Sequence, residues 1–283
     1  MIIDQRPKKN VLRQMVTSFV ISGISSISSI SGISGIMAIM LISASCGGDT
    51  IENPFPDSST EYFPLVVGRS ITYAVDSIVF DDAPNGNSYD TVSFQLKEEI
   101  TSAELNGEGD TVYYVHRYRR PDASSPWVIT DLWTQEKNSA EALRYEENLK
   151  FRKLSFPLRF GKRWQSTSYI HPETVIQVGT EFLEPFLDWE AEVLSFDRPG
   201  QVGAFEFQGN DIMTLHQTDT DDGVMKRYVW ETYVRNIGLV QRRDSILDSR
   251  CIALGDFGPC IGKPWIEHAS KGYILSQVMI AYE

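Results

Sequence analysis

The chain has 283 residues, of which 42% are hydrophobic and 23% charged, with three cysteines, which excludes a disordered chain, a collagen and a disulfide-dense miniprotein. Its 38 acids outnumber its 26 bases for a formal net charge of -12. With no general polycation to neutralise phosphates, nucleic acid is not an expected partner.

The first element is a targeting segment. Arg6, Lys8, Lys9 and Arg13 face one acid, Asp4, and no charged side chain follows from Gln14 to Gly48. A basic start followed by an apolar stretch is the pattern of an export signal. Within it Ile21, Ile24, Ile27, Ile30, Ile33 and Ile36 recur every third residue among Ser and Gly, and a denser apolar block runs from Ile36 to Ile42. A transmembrane helix is the bland alternative for so long an uncharged run. The Ser and Gly dilution and the polar segment after Cys46 favour a cleaved signal over a span.

Small residues precede a cysteine in Ser43-Ala44-Ser45-Cys46, a run that resembles the lipobox of bacterial lipoproteins. Ser43 stands where that family usually has Leu, with Leu41 and Ile42 just upstream. The resemblance implies diacylglycerol on the Cys46 thiol, cleavage before it and acylation, as by palmitate, of the new amine; several acyl chains anchor a protein stably. The expected divisions are a signal peptide over 1–45, a flexible acidic tether over 46–60 and a single β domain over 61–283. Losing four bases and one acid with the signal leaves 238 residues at -15. Gly47 to Thr60 has the Gly, Pro, Ser and acid content of a tether. Its early acids resemble the surface-export signal of Bacteroidota-type lipoproteins, which implies an outer-membrane address facing the periplasm or the cell surface.

From Ser70 onward the dominant period is two. Val92, Phe94 and Leu96 alternate with Ser93, Gln95 and Lys97, as in a strand with one buried face. The same alternation predicts buried faces at Val112, Tyr114, His116 and Tyr118, at Leu143, Tyr145, Leu149 and Phe151, and at Ile274, Val278, Ile280 and Tyr282. Asn85-Gly86, Asn106-Gly107, Gly209-Asn210 and Asp222-Gly223 are hairpin signals, because these residues tolerate positive backbone angles. The clearest hairpin joins Ile212–Thr218 to Val224–Tyr233. Glu181 to Trp189 is the best short helix candidate, compromised by Pro185. The expected fold is all-β: about a dozen antiparallel, mostly hairpin-connected strands forming one curved sheet, barrel or sandwich.

One segment repeats. Phe63-Pro64-Leu65-Val66-Val67-Gly68-Arg69 matches Phe156-Pro157-Leu158-Arg159-Phe160-Gly161-Lys162. A duplicated functional motif is one reading; the preferred one is a recurring strand-entry device, with Pro restricting the entering chain and Gly permitting a tight turn. With this motif, Glu146-Glu147-Asn148-Leu149, Trp189-Glu190, Ile237-Gly238-Leu239-Val240 and Lys271-Gly272-Tyr273, the chain from about Glu61 onward resembles uncharacterised Bacteroidota-type lipoproteins. That resemblance implies a shared fold and an envelope address, and no activity.

Cys251 and Cys260 are left once Cys46 is acylated. Nine positions apart across Gly255, Gly258 and Pro259 in an exported chain, they are expected to form a disulfide, with two free thiols the alternative. No local catalytic signature is present: no H-E-x-x-H, C-x-x-C, G-x-S-x-G or S-x-x-K, and Gly107-Glu108-Gly109 lacks a third glycine. His116, His171, His216 and His268 are scattered singly, with cross-strand hydrogen bonding favoured over catalysis for His116 and His216. Asp219, Asp221 and Asp222 fail the spacing of a calcium loop and read as a solvated hairpin tip. Arg117, Arg119, Arg120, Arg242 and Arg243 read as charge balance on a wet face, with an anionic partner as the sharper alternative.

No catalytic residue, metal ligand or cofactor is assigned. The expectation is a lipid-anchored envelope protein acting as a non-catalytic binding or structural module, in contact with the membrane and with an envelope protein, glycan or lipid ligand. Two alternatives stand beside it: a carrier or chaperone for an apolar ligand in a β cavity, and a hydrolase whose carboxylates converge only in the fold.

Overall fold

The computed structural model describes residues 58–83 and 86–283. The expected signal peptide, Cys46 and most of the expected tether lie outside the described residues. The elements are a 3-10 helix (Ser58–Tyr62), β1 (Ser70–Ala83), β2 (Gly86–Leu105), β3 (Thr111–Arg120), β4 (Val128–Lys137), β5 (Glu141–Glu146), β6 (Leu149–Ser155), β7 (Arg163–Gln165), β8 (Ile176–Val178), β9 (Glu181–Leu183), β10 (Glu190–Val202), β11 (Phe205–Asp221), β12 (Met225–Val234), β13 (Gly238–Ser249), α1 (Arg250–Leu254), α2 (Trp265–His268) and β14 (Ala269–Tyr282). Among the described residues no helix is long and apolar enough to cross a membrane.

The fold is all-β. Twelve antiparallel strands form one sheet in the order β6, β5, β4, β3, β2, β1, β14, β13, β12, β11, β10, β7, and β8 with β9 forms a separate hairpin. Two meanders are thus joined where β1 pairs with β14, from Ile71 opposite Tyr282 to Phe80 opposite Gly272. The sheet curls until its two edges meet. Arg152 N–H of β6 donates to Ser166 C=O just past β7 at 2.9 Å, and Trp164 Nε1–H of β7 donates to Arg152 C=O at 3.1 Å. Nearly closing the sheet in this way satisfies edge groups that would otherwise template aggregation.

Each end of the barrel is stoppered by apolar side chains. At the end where the described chain begins, Tyr62 and Phe63 are buried with Leu154, Phe156, Leu158, Trp164, Met213, Leu215 and Leu239. Polar contacts hold this stopper in place: Lys137 Nζ donates to the carbonyls of Thr60 and Phe63, and Arg235 to the Ser58 carbonyl. Ser58 to Thr60, assigned to the tether by composition, therefore belong to the barrel. At the other end the segment between β7 and β10 places Ile170, Ile176, Val178, Leu183, Phe186 and Trp189 against Leu149, Val229 and Ile246 of the wall. Glu181 to Trp189 forms β9 and turns rather than a helix, and Pro185 accepts a hydrogen bond from Trp189 Nε1–H at 2.6 Å.

Hairpins fall at Asn106-Gly107 and Asp222-Gly223 as their turn chemistry requires, whereas Gly209-Asn210 lies inside β11. In β3 the inward face is not the one expected. Val115 is buried against Ile100 and Trp133, so Tyr113, Val115 and Arg117 point in while Val112, Tyr114, His116 and Tyr118 point out. The same inversion occurs in β14, where Ile274 packs outside with Phe80, Leu247 and Trp265. The reason is that the outer wall is partly covered by the α1–α2 segment and that the inner wall carries charge.

Candidate functional site

The interior between the two stoppers is occupied by ionised side chains from six strands. Adjacent residues on a strand point to opposite faces, so like-charge doublets place one member inside: Glu98 rather than Glu99, Arg242 rather than Arg243. Contacts between strands that are not neighbours show that these side chains meet across the lumen. Arg144 of β5 donates to Glu98 of β2 at 2.5 Å. Lys153 of β6 pairs with Glu231 of β12.

Two linked groups result. In the first, Glu98 accepts from Arg144 and, at 3.1 Å, from Arg117 Nε–H, while Arg117 also donates to Asp131 at 3.2 Å. Trp133 lies under both guanidiniums, 3.6 Å from Arg117 and 4.5 Å from Arg144. In the second, the fully buried Glu231 carboxylate accepts from Lys153, from Gln217 Nε2–H at 2.8 Å and from the Tyr233 hydroxyl at 2.8 Å. Arg242 joins the groups. It donates through Nε to both Asp244 oxygens at 2.9 and 3.0 Å and lies 3.6 Å from Glu146, which is in turn 3.3 Å from Arg144.

Burial alone would push these carboxylates toward the neutral acid. For Glu98 that penalty is outweighed by Arg144 and Arg117, and for Glu231 by Lys153 and Arg242, so both are held below the ordinary Glu range. Glu146, beside Arg242 and Arg144, is lowered to about 2. Asp244 is the exception: burial prevails over Arg242 and its value is raised. Burial also raises the hydroxyls of Tyr73, Tyr233 and Tyr273.

Four carboxylates (Glu98, Glu146, Glu231, Asp244) thus face four cations (Arg117, Arg144, Lys153, Arg242). The third sequence alternative asked for converging acids, and these do converge, each already paired with a base. A cavity of about 60 Å³ touches this layer at Glu98, Arg144, Tyr73, Gln135 and Tyr233. A water's share of liquid volume is about 30 Å³, so this space suits a few waters rather than a sugar ring or an acyl chain.

The remaining candidates lie apart from this interior. Cys251 and Cys260 are joined by a disulfide, with Cα atoms 6.3 Å apart. It staples the loop between β13 and β14. His116 sits 3.4 Å from the Tyr118 hydroxyl, His216 lies 3.8 Å from Glu192 and 3.9 Å from Asp219, and buried His268 packs on Trp265. These contacts make no catalytic constellation. No group of three or more metal-ligating side chains occurs among the described residues. The arginines divide: Arg117 and Arg242 turn inward, whereas Arg119 and Arg243 are exposed and Arg120 half-buried, stacking on Phe94, Trp230 and Trp127 respectively. Asp221 and Asp222 cap their own hairpin, accepting from the N–H groups of Gly223, Val224 and Met225.

No family model matches the chain, and no curated protein matches it. Two solved structures do. One, from Bacteroides fragilis, is described as an exported protein with a YmcC-like fold; it is 11% identical, with a TM-score of 0.37 over 78% of this chain and 98% of its own. The other, from Parabacteroides distasonis and described as a lipoprotein, is 8% identical, with a TM-score of 0.36 over the same shares. At such scores neither likeness extends to function.

Proposed function

We propose that the chain is a lipid-anchored cell-envelope protein, held in the outer membrane through acylated Cys46, whose barrel is a non-catalytic binding or structural module. The observation that supports the non-catalytic reading is the interior itself. Its carboxylates are matched by bases and lie between two apolar stoppers, and the cavity that reaches them at Glu98, about 60 Å³, is small for a substrate. The same packing weighs against an apolar-ligand carrier, which needs a dry cavity the length of an acyl chain. What the module binds is then presented on its outer wall and loops, and an envelope protein or glycan fits an exposed surface better than an enclosed lipid.

The test is expression of the full chain in a bacterial host with labelled palmitate, followed by membrane fractionation. Label on the wild type, none on Cys46→Ala, and recovery of the wild type with the outer membrane are expected. Label retained by Cys46→Ala would overturn the anchor. Turnover by the purified protein in a broad hydrolase screen would overturn the non-catalytic reading.

A further inference from the structure

The repeated Phe-Pro-Leu-x-x-Gly segment folds twice into one turn. In the first copy Gly68 N–H donates to Ile100 C=O at 2.8 Å, Arg69 N–H to Val66 C=O at 3.2 Å, and Arg69 C=O accepts from Ile100 N–H at 3.0 Å. In the second, Gly161 N–H donates to Val193 C=O at 2.9 Å, Lys162 N–H to Arg159 C=O at 3.1 Å, and Lys162 C=O accepts from Val193 N–H at 3.0 Å. Both glycines have positive φ, 93° and 72°, which the turn needs and larger residues resist. Phe63, Phe156 and Leu158 are buried in one cluster, with Leu65 packed against it. A strand-entry device accounts for Phe, Pro, Leu and Gly.

It does not account for the two positions between Leu and Gly. Turn tips ordinarily carry polar residues, yet Val66 is 52% exposed, Val67 50% and Phe160 74%. Bases follow or accompany them: Arg69 in one copy, and exposed Arg159 with Lys162 in the other, on a chain of net charge -12, while Arg163 just beyond is held by Glu190 and Glu192. Both tips lie at the barrel end where the 3-10 helix (Ser58–Tyr62) enters, since Leu158 N–H donates to Ser59 Oγ at 3.0 Å. The chain that precedes Ser58 runs back to Cys46 in twelve residues, a reach of at most about 40 Å even fully extended.

We propose that these two turns seat the barrel on an anionic phospholipid surface, Val66, Val67 and Phe160 entering the headgroup boundary while the adjacent bases meet lipid phosphates. Apolar tips with a basic collar are the chemistry of interfacial binding. The proposal rests on the Cys46 anchor and deepens it: the acyl chains hold the protein at the membrane, and the turns fix which end faces it. The opposite end, with the β7–β10 segment and the stapled loop, is thereby directed away from the bilayer toward a partner.

The test uses the full, processed protein reconstituted into vesicles of phosphatidylethanolamine and phosphatidylglycerol. With Cys46 acylated and Cys251 bonded to Cys260, a cysteine introduced by Val67→Cys, Phe160→Cys or Glu173→Cys is a single site for a polarity-sensitive fluorophore. Emission at 67 and 160 is expected to shift to the blue and be quenched by brominated acyl chains, with neither change at 173 on the opposite end. Adding Arg69→Glu and Arg159→Glu should reduce that quenching, as should replacing phosphatidylglycerol with phosphatidylcholine. Circular dichroism confirms that each variant is folded. Acylated protein with unquenched labels at 67 and 160, or with equal quenching at 173, overturns the seat and leaves the anchor standing. Protein that carries no acyl chain overturns both.

Discussion

Lys153 and Glu231, 78 positions apart in sequence, form an ion pair inside the barrel that ties β6, beside the closing seam, to β12 on the far side of β7, β10 and β11. A buried pair is weak evidence of net stabilisation, but breaking one leaves a charge in a medium that cannot solvate it. Lys153→Met is therefore expected to cost about 3–5 kcal/mol in urea unfolding. Lys153→Met combined with Glu231→Gln, which removes both charges and keeps acceptors for Gln217 and Tyr233, should recover a large part of that loss. Equal destabilisation by the single and double variants would show that the pair itself is not the cause.

Acid should unfold the barrel through the same interior. Glu98, Glu146 and Glu231 have folded values below the unfolded value of about 4.3, with Glu146 at about 2. Their stabilisation is complete above that unfolded value and is lost as pH falls through the folded values. Asp244, raised on folding, works in the opposite sense: its contribution is greatest at low pH and is lost as pH rises from about 3.9 toward its folded value. The melting temperature should fall steeply below pH of about 4, and less steeply in Glu146→Gln. An unchanged slope in that variant would remove Glu146 from the account.

Gly272 sits in β14 with φ of 115°, and a Cβ there would lie 2.0 Å from the Ile246 carbonyl oxygen. Both the backbone angle and the neighbouring strand exclude a side chain. Gly272→Ala is expected to destabilise by more than about 2 kcal/mol, measured by thermal unfolding. Gly107→Ala, where an added Cβ meets nothing within 4 Å, should be nearly silent.

The disulfide closes a loop over a sequence separation of nine. Chain entropy for a loop of that size gives about 2–3 kcal/mol. Cys251→Ser with Cys260→Ser should lower unfolding stability by up to that amount while leaving the interior ion pairs intact. Added reductant should reproduce the loss in the wild type and have no effect on the double variant.

Strand content and the antiparallel architecture were legible because period two and Asn-Gly or Asp-Gly turns are local signals. Which face points inward was not, as β3 shows. The expectation equated buried with apolar and chose Val112, Tyr114, His116 and Tyr118, while the barrel turns Arg117 inward beside Val115, because Glu98 awaits it across the sheet. The partner that makes burial tolerable for Arg144 lies 46 positions away, beyond any local pattern. A signal was nonetheless present: Glu98-Glu99 and Arg242-Arg243 are like-charge doublets in strands, and alternation forces one member of each to the inside. The helix expected near Pro185 failed because Leu183 and Phe186 fill the barrel mouth while Phe182 and Leu187 stay exposed, so the four do not share one buried stripe.

The seam between β1 and β14 sets the order in which the molecule can be assembled. Strands β1 to β6 can pair one after another as they emerge, and so can β10 to β13, but the two runs are held together by a first strand that must wait for the last. At the other junction Arg152 and Ser166 are near neighbours in sequence, so that joint adds little to the search. Folding speed is governed by such distant pairings, which means that most of the polypeptide must be present in one place before the ring exists. A chain delivered through a membrane N-terminus first would remain an open ribbon until its final strand arrived.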